Sequence, residues 1–253
     1  MRILRDTKLM FVRNMQHTLR NPIFILVSMF QPLLYLFLFM PLLENLGGVP
    51  GLPVGKTVET FIPGLLVMLA LFGSAFVGFT LIDELRTGVI ERFLVTPVTR
   101  SSILLGRVLR DAFVLVTQCV LITFVAIPFG LSVNVVGFLL SLILYGLIGI
   151  TMASMSYSFA LIYKSEDNLA PTLNTITLPI SLLSGIILPL VLAPIWLQDV
   201  AMINPFSYAV NASRALFAGN FYSVDIIEGF GIITLLAIVM FLWSLRSLKK
   251  IES

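Results

Sequence analysis

Residues 61–131 read FIPGLLVMLALFGSAFVGFTLIDELRTGVIERFLVTPVTRSSILLGRVLRDAFVLVTQCVLITFVAIPFGL. Positions 61–82 and 112–131 carry no charge, whereas the thirty positions 82–111 between them hold nine charged residues. Each flank is about the length needed to cross a hydrocarbon core of roughly 30 Å. The stretch therefore reads as membrane span, charged loop, membrane span.

Moving outward, the same pattern recurs at 23–43, 135–163, 169–193 and 229–243, which makes six spans in all. The fourth and fifth are overlong, so tilt, kinks or partial re-entry must absorb the excess. Composition agrees. The chain is 58% hydrophobic and 11% charged, far from the roughly 25% charged residues of soluble domains. The expected fold is an all-α polytopic membrane protein.

Charge distribution orients it. If the N-terminus is inside, fourteen of the sixteen Lys and Arg fall in inner segments, leaving only Lys56 and Arg214 outside. The positive-inside rule absorbs the whole basic excess, so the formal charge of +3 is no argument for nucleic acid. Both termini are expected on the cytoplasmic side of a prokaryotic plasma membrane. A cleaved signal peptide is not expected, because about twenty polar and charged residues precede a first span longer than a signal's apolar region. Cys119 is the lone cysteine, so no intrachain disulfide can form.

Three regions outside the spans stand out. Residues 2–20 have Leu4, Phe11, Val12, Met15 and Leu19 at helical spacing, with Arg5, Lys8, Arg13 and Gln16 on other faces. That pattern predicts an amphipathic helix on the inner membrane surface, broken at Asn21-Pro22. In the charged loop, Thr96-Pro97 predicts a division. One short helix covers 83–95, with Leu85, Val89, Phe93 and Leu94 roughly along one side. A second, capped by Thr96, runs through Arg100, Arg107 and Arg110 into the third span. Residues 186–219 form an apolar segment punctuated by Pro189, Pro194 and Pro205. It is too broken to span, and is expected to dip into the outer half of the bilayer and return. Within it, Asn204-Pro205 starts a short helix over 205–218 and Gly219 stops it.

Catalytic readings fail on the residues. GLPVGKTV at 51–58 offers Gly55, Lys56 and Thr57 to a phosphate loop, but Pro50 stands where the first glycine is needed. His17 is the single histidine, which excludes multi-His metal centres and Ser-His-Asp catalysis; it reads as a surface residue of the first helix. A membrane acyl or lipid transferase would need a reactive polar cluster near an interface, and none is seen. Asn211-Ala212-Ser213 matches a glycosylation sequon, a pattern common by chance. None of the six spans contains Asp, Glu, Lys, Arg or His. Proton-coupled carriers place such groups at mid-membrane, so any uphill transport should draw its energy from elsewhere. Mid-membrane polarity is modest, with Gln31, Tyr35, Gln118, Asn174, Thr175, Thr177 and Ser181, which either bond between helices or line a pathway. Ala70, Ser74 and Gly78 form a close-packing ridge.

The pattern Glu84-x-x-x-Gly88-x-x-Glu91-x-x-x-x-Thr96-Pro97-x-x-Arg100, with Asn204, Pro205, Tyr208, Arg214 and Gly219 further on, resembles the ABC-2 family of ATP-binding-cassette transporter permeases, particularly its drug-resistance exporter branch. The resemblance covers nearly the whole chain and implies a single transmembrane domain over 1–253. In it, 1–22 would be a connecting helix, 83–100 the coupling-helix region and 186–219 an external re-entrant segment. It implies that Glu84, Arg86, Gly88, Glu91, Arg92, Thr96, Pro97 and Arg100 dock on a separate ATPase subunit, with the 164–171 turn as a lesser contact. It also implies two ATPases and a second permease copy, most simply an identical one. ATP and Mg would be bound by the ATPase, with no cofactor in this chain. An amphipathic cargo would pass outward along Gln31, Tyr35, Asn174, Thr177 and Ser181. Polysaccharide or lipid-linked glycan export is the alternative within the family, and a non-transporting assembly factor the alternative outside it.

Overall fold

A computed structural model describes residues 2–20, 23–44, 57–94, 98–186, 190 and 193–250. Among them every regular element is helical. In chain order these are α1 (Arg2–Arg20), α2 (Ile23–Glu44), α3 (Thr57–Ala75), α4 (Gly78–Arg86), α5 (Val89–Leu94) and α6 (Arg100–Ala126). There follow α7 (Val135–Tyr163), α8 (Glu166–Leu183), α9 (Ile195–Met202), α10 (Pro205–Phe217) and α11 (Val224–Lys249).

Four stretches among the described residues are long and apolar enough to cross a membrane: Val58–Arg86, Arg100–Phe129, Val135–Tyr163 and Val224–Lys249. Within α2, Val27–Phe39 is a shorter apolar helix. The expected fifth span is the eighteen-residue α8, with Pro171 and Pro179 inside it. Proline removes a helix hydrogen bond and crowds the preceding turn, yet α8 remains a continuous helix through both. Within 186–219, α10 is the short helix expected over 205–218, and α9 is a helix not foreseen. Asn204 caps α10 by accepting from the Phe206 amide at 3.0 Å, and Gly219 stands just past its end with φ +74°, as the Asn-Pro start and Gly stop predict.

Helix α7 is the centre of the bundle, packed against α11, α6, α3, α4, α10 and α8. Lipid is as apolar as leucine, so helices in a membrane associate through close packing and hydrogen bonds. The small-residue ridge on α3–α4 serves this end. Ala70 and Ser74 are buried, and the Gly78 amide donates to the Ser156 hydroxyl of α7 at 2.9 Å. Tyr145 and Tyr157 of α7 are fully buried; the Tyr145 hydroxyl lies 2.5 Å from that of Ser213 on α10.

Three expectations are corrected. The charged loop does not hold one helix over 83–95. The second span continues through α4 to Arg86, the chain breaks at Thr87-Gly88 where Gly88 takes φ +69°, and α5 follows alone. That left-handed backbone is open to glycine and costs other residues roughly 1–2 kcal/mol, so the glycine, not only the later proline, divides the loop. Leu85 therefore sits on a different helix from Val89 and Phe93. Thr96 and Pro97 lie outside the described residues; the residue before α6 is Thr99, in extended backbone. Lastly, the 164–171 turn is short: Lys164 alone takes a positive φ of 51°, and α8 begins at Glu166.

Helix α1 forms as expected, and its polar stripe is the face that packs on the bundle. Asp6, Thr7, Met10, Asn14 and Thr18 are buried, while Leu4, Leu9, Val12 and Leu19 are exposed. The polar stripe seats on α6, and the apolar residues look outward. A Cβ on Gly106 would stand 2.6 Å from that of Met10, so the backbones meet closely there, and further along Arg110 of α6 donates to Thr18 at 2.9 Å. Lys56, Asn21 and Pro22 lie outside the described residues.

Candidate functional site

The end of the bundle that carries the charged loop is built by four connections. Ser102 of α6 donates to the Ile3 carbonyl of α1 at 3.1 Å. The Arg13 guanidinium of α1 stands 4.5 Å from the ring centroid of Phe93 on α5, a cation–π contact. Arg86 at the end of α4 pairs with Glu166 of α8 at 2.8 Å, both partly exposed. Glu84 of α4 pairs with Arg107 of α6, whose side chain is only 3% exposed.

Deeper along α6 the Arg110 guanidinium donates to the Thr18 hydroxyl at 2.9 Å and lies 3.1 Å from the Asp111 carboxylate. Asp111 in turn accepts from the Tyr157 hydroxyl of α7. Helices α1, α4, α6, α7 and α8 are thus joined at one end by charge-assisted bonds, which are shorter and about twice as strong as neutral ones, and α5 is tied in by the cation–π contact.

The charge-free stretches 61–82 and 112–131 stand as read, and the buried charges lie just beyond their ends. Helix α6 is continuous from Arg100, so Arg107, Arg110 and Asp111 ride on a membrane-length helix, and Glu59, Asp83 and Glu84 on another. Arg107 and Asp111 are buried. Each is paired, as buried charges must be. The helical spacing of 107, 110 and 111, continuous with apolar Ile103, Leu104 and Val108, was the signal available; the apolar run that begins at Ala112 hid it.

Of the residues proposed for coupling, Glu84, Arg86, Gly88 and Arg92 come together at α4 and α5, with Arg92 exposed. Arg100 opens α6 and is also exposed. Glu91 belongs to α5, but its side chain lies outside the described residues, as do Thr96 and Pro97. The residues proposed for a cargo path do not form one group. Gln31 and Tyr35 lie on α2. On α8, Asn174 is exposed, Thr177 fully buried and Ser181 half-buried, and the Ser181 hydroxyl donates to the Leu178 carbonyl at 2.8 Å. Gln118 is buried and donates to Ser28 of α2 at 2.7 Å.

At the opposite end, the Asn204–Gly219 pattern proves architectural. The Asn204 side-chain amide donates to the Ile180 carbonyl of α8 at 2.7 Å, Pro205 opens α10, and the Tyr208 hydroxyl donates to the Met202 carbonyl at 3.0 Å. Arg214 donates to the carbonyls of Thr60 at 3.1 Å and Gly185 at 2.7 Å, stapling α10 to the start of α3 and the turn after α8. Burial lowers the Arg214 pKa to about 10, so it remains cationic at neutral pH.

The geometry defines a class: a multi-pass helical membrane protein with a short helix, α5, that follows an ion-paired α4 at its charged end. Residues 5–218 match the ABC-2 type transporter family, and the chain belongs to it. Similar proteins include the putative transport permease ycf38 of Pyropia yezoensis, 27% identical over 96% of this chain and 85% of that one. The daunorubicin resistance ABC transporter permease protein DrrB1 of Streptomyces coeruleorubidus is 25% identical over 81% of this chain and 73% of its own. The probable doxorubicin resistance ABC transporter permease protein DrrC of Mycobacterium tuberculosis is 28% identical over 79% and 72% respectively.

Proposed function

We propose that this chain is the transmembrane subunit of an ABC exporter, moving an amphipathic substrate out of the cell on ATP hydrolysed by a separate ATPase. The permease itself catalyses nothing, and ATP and Mg bind the partner. The observation that carries the reading is α5. Six residues long and following a left-handed glycine, it is joined to α1 by a cation–π contact and follows directly on α4, whose ion pairs lead to α6 and α8. A push on such a helix is passed to several spans at once. Exposed charges on it, such as Arg92, suit reversible docking, where they set register and rate.

In this reading residues 83–100 meet the ATPase, 1–22 form the connecting helix and 186–219 the external segment of a single domain. The protein has six crossings, with both termini on the cytoplasmic side of a prokaryotic cell membrane. Two identical permeases and two ATPases make the working unit, and Gln31, Tyr35, Asn174, Thr177 and Ser181 line its cargo path. ATPase closure then shifts the permease pair between inward- and outward-facing populations.

The test is retention of the ATPase by the purified permease, alongside ATP-driven flux in vesicles. Glu91→Lys should weaken retention roughly tenfold or more, as loss of about 1.4 kcal/mol or greater requires. Gly88→Val should uncouple hydrolysis from flux by misplacing α5, with membrane insertion unchanged. Wild-type retention and flux in both variants would refute docking through α5.

A further inference from the structure

A continuous groove runs up the seam between α2 and the α3–α6 wall. Its lower chamber, of ≈ 170 Å³, is bounded by His17, Thr18, Arg110, Asp111 and Gln118 on the polar side and by Val77 and Leu115 on the apolar side. Ser28 and Gly73 border both this chamber and the next. The second, of ≈ 230 Å³, is walled by Gln31, Met68, Phe72 and Phe76. Met68 also borders a third space of only ≈ 10 Å³ among Tyr35, Phe39 and Phe61. There Tyr35 and Phe39 have ring centroids 5.5 Å apart and Phe39 and Phe61 6.0 Å apart, so an aromatic stack closes the upper end. At the lower end His17, Thr80 and Arg110 are shared with a polar vestibule of ≈ 410 Å³ that includes Asp83, Glu84 and Glu166.

The groove is therefore polar at the charged end, apolar along its length and shut at the top. From Val77 to Met68 along α3, a rise of 1.5 Å per residue makes it roughly 14 Å long. The two chambers together are of ordinary ligand-pocket size. A compact, uniformly apolar ligand would leave the polar floor unused, and desolvating that floor without partners is costly. A polar head on a chain satisfies both parts. The floor offers a cation and an anion side by side, Arg110 and Asp111, and Arg110 has more donors than the one it gives Thr18. That neutral pair suits a zwitterionic head better than one of net charge.

We propose that this groove within one protomer is the loading site for the cargo, a long-chain amphiphile with a zwitterionic head held at Arg110, Asp111 and Gln118 and its chain lying along Gly73, Phe72 and Met68. The cargo part of this proposal rests on the exporter reading; the site itself does not. Gly73 provides the handle. A Cβ there would meet Leu115 and Leu69 at 3.7 Å, an ordinary contact, so the backbone tolerates a side chain that fills the groove.

The probe is a lysophosphatidylcholine with a diazirine near the end of its chain, applied to the permease–ATPase complex in lipid nanodiscs. Cross-links should map to 28–31 and 68–76, persist in Gly73→Ala and fall roughly tenfold or more in Gly73→Leu, since a filled pocket rejects a ligand by at least the margin of an added methylene. Ser28→Leu, filling from the α2 wall, serves if Gly73→Leu does not fold. MgATP turnover should discharge the groove label. Labelling spread over outward-facing Phe30, Phe37 and Phe113 and indifferent to both variants overturns the site. Groove labelling that turnover leaves unchanged overturns the cargo assignment and makes the groove the seat of a resident lipid. If no ATPase accompanies the chain, the exporter reading fails, while groove labelling lost in Gly73→Leu still establishes the site.

Discussion

Neutralising Glu84 should destabilise this protein more than neutralising its partner. Arg107 is 3% exposed and Glu84 21% exposed at the side chain. Glu84→Gln leaves a guanidinium that cannot reach water, and its Nε already lacks a hydrogen-bond partner. An uncompensated buried charge of this kind costs about 3–5 kcal/mol. Arg107→Met keeps most of the buried stem and strands a carboxylate that still touches solvent, so its cost should approach the roughly 1–3 kcal/mol of an unsatisfied polar group. At about 2–4 °C per kcal/mol for a chain of this size, Glu84→Gln should lower the unfolding midpoint by roughly 6–20 °C and Arg107→Met by much less. The double variant has no charge to strand and should recover to near the Arg107→Met value. The assay is thermal unfolding of purified protein in mild detergent, followed by loss of the monodisperse gel-filtration peak. Equal losses for the two singles, or a double variant whose loss is their sum, would show that burial of Arg107 is not what the pair compensates.

Gly106→Val should loosen α1 from α6, because its Cβ would press on the Met10 Cβ at 2.6 Å and the Phe11 amide nitrogen at 3.0 Å; overpacking costs about 1–3 kcal/mol. Trypsin cutting at Arg5, Lys8 and Arg13 should then speed up roughly five- to a hundredfold while the rest of the chain keeps its resistance. Topology is checked with single cysteines at positions 56 and 92 in a Cys119→Ser background. An impermeant thiol reagent on intact cells should label 56 and spare 92, and the reverse pattern would invert the orientation.

What could be read in advance and what could not divide along a physical line. Apolar runs located the long helices well: 135–163 coincides with α7, and Asn204-Pro205 and Gly219 delimit α10 because capping and left-handed backbone are written in single residues. The candidate site was legible as a charged loop, yet not in its geometry. A run of apolar residues marks where lipid contact begins, whereas a helix begins where its hydrogen bonds do, and α6 starts twelve residues before the charge-free stretch at Ala112. Charged residues in that interval can enter the bundle because partners on other helices neutralise them, and no local pattern at 107–111 names Glu84, Thr18 or Tyr157. The pattern of α1 reads as an amphipathic helix on the inner membrane surface and says nothing of the face turned to the protein. In the structure polar residues seal the contact with α6, and the apolar face with Arg5, Lys8 and Arg13 is left outward. One consequence reaches the mechanism. The charge-free stretches stand as read, but Asp111 is a buried carboxylate one residue before the one that begins at Ala112, on the same helix. An ion-pair partner and a tyrosine hydroxyl both hold it, and a carboxylate so engaged fits a structural brace better than a group that must take up and release protons. The case for ATP as the energy source therefore stands on α5, on its links to the spans and on membership of the ABC-2 family.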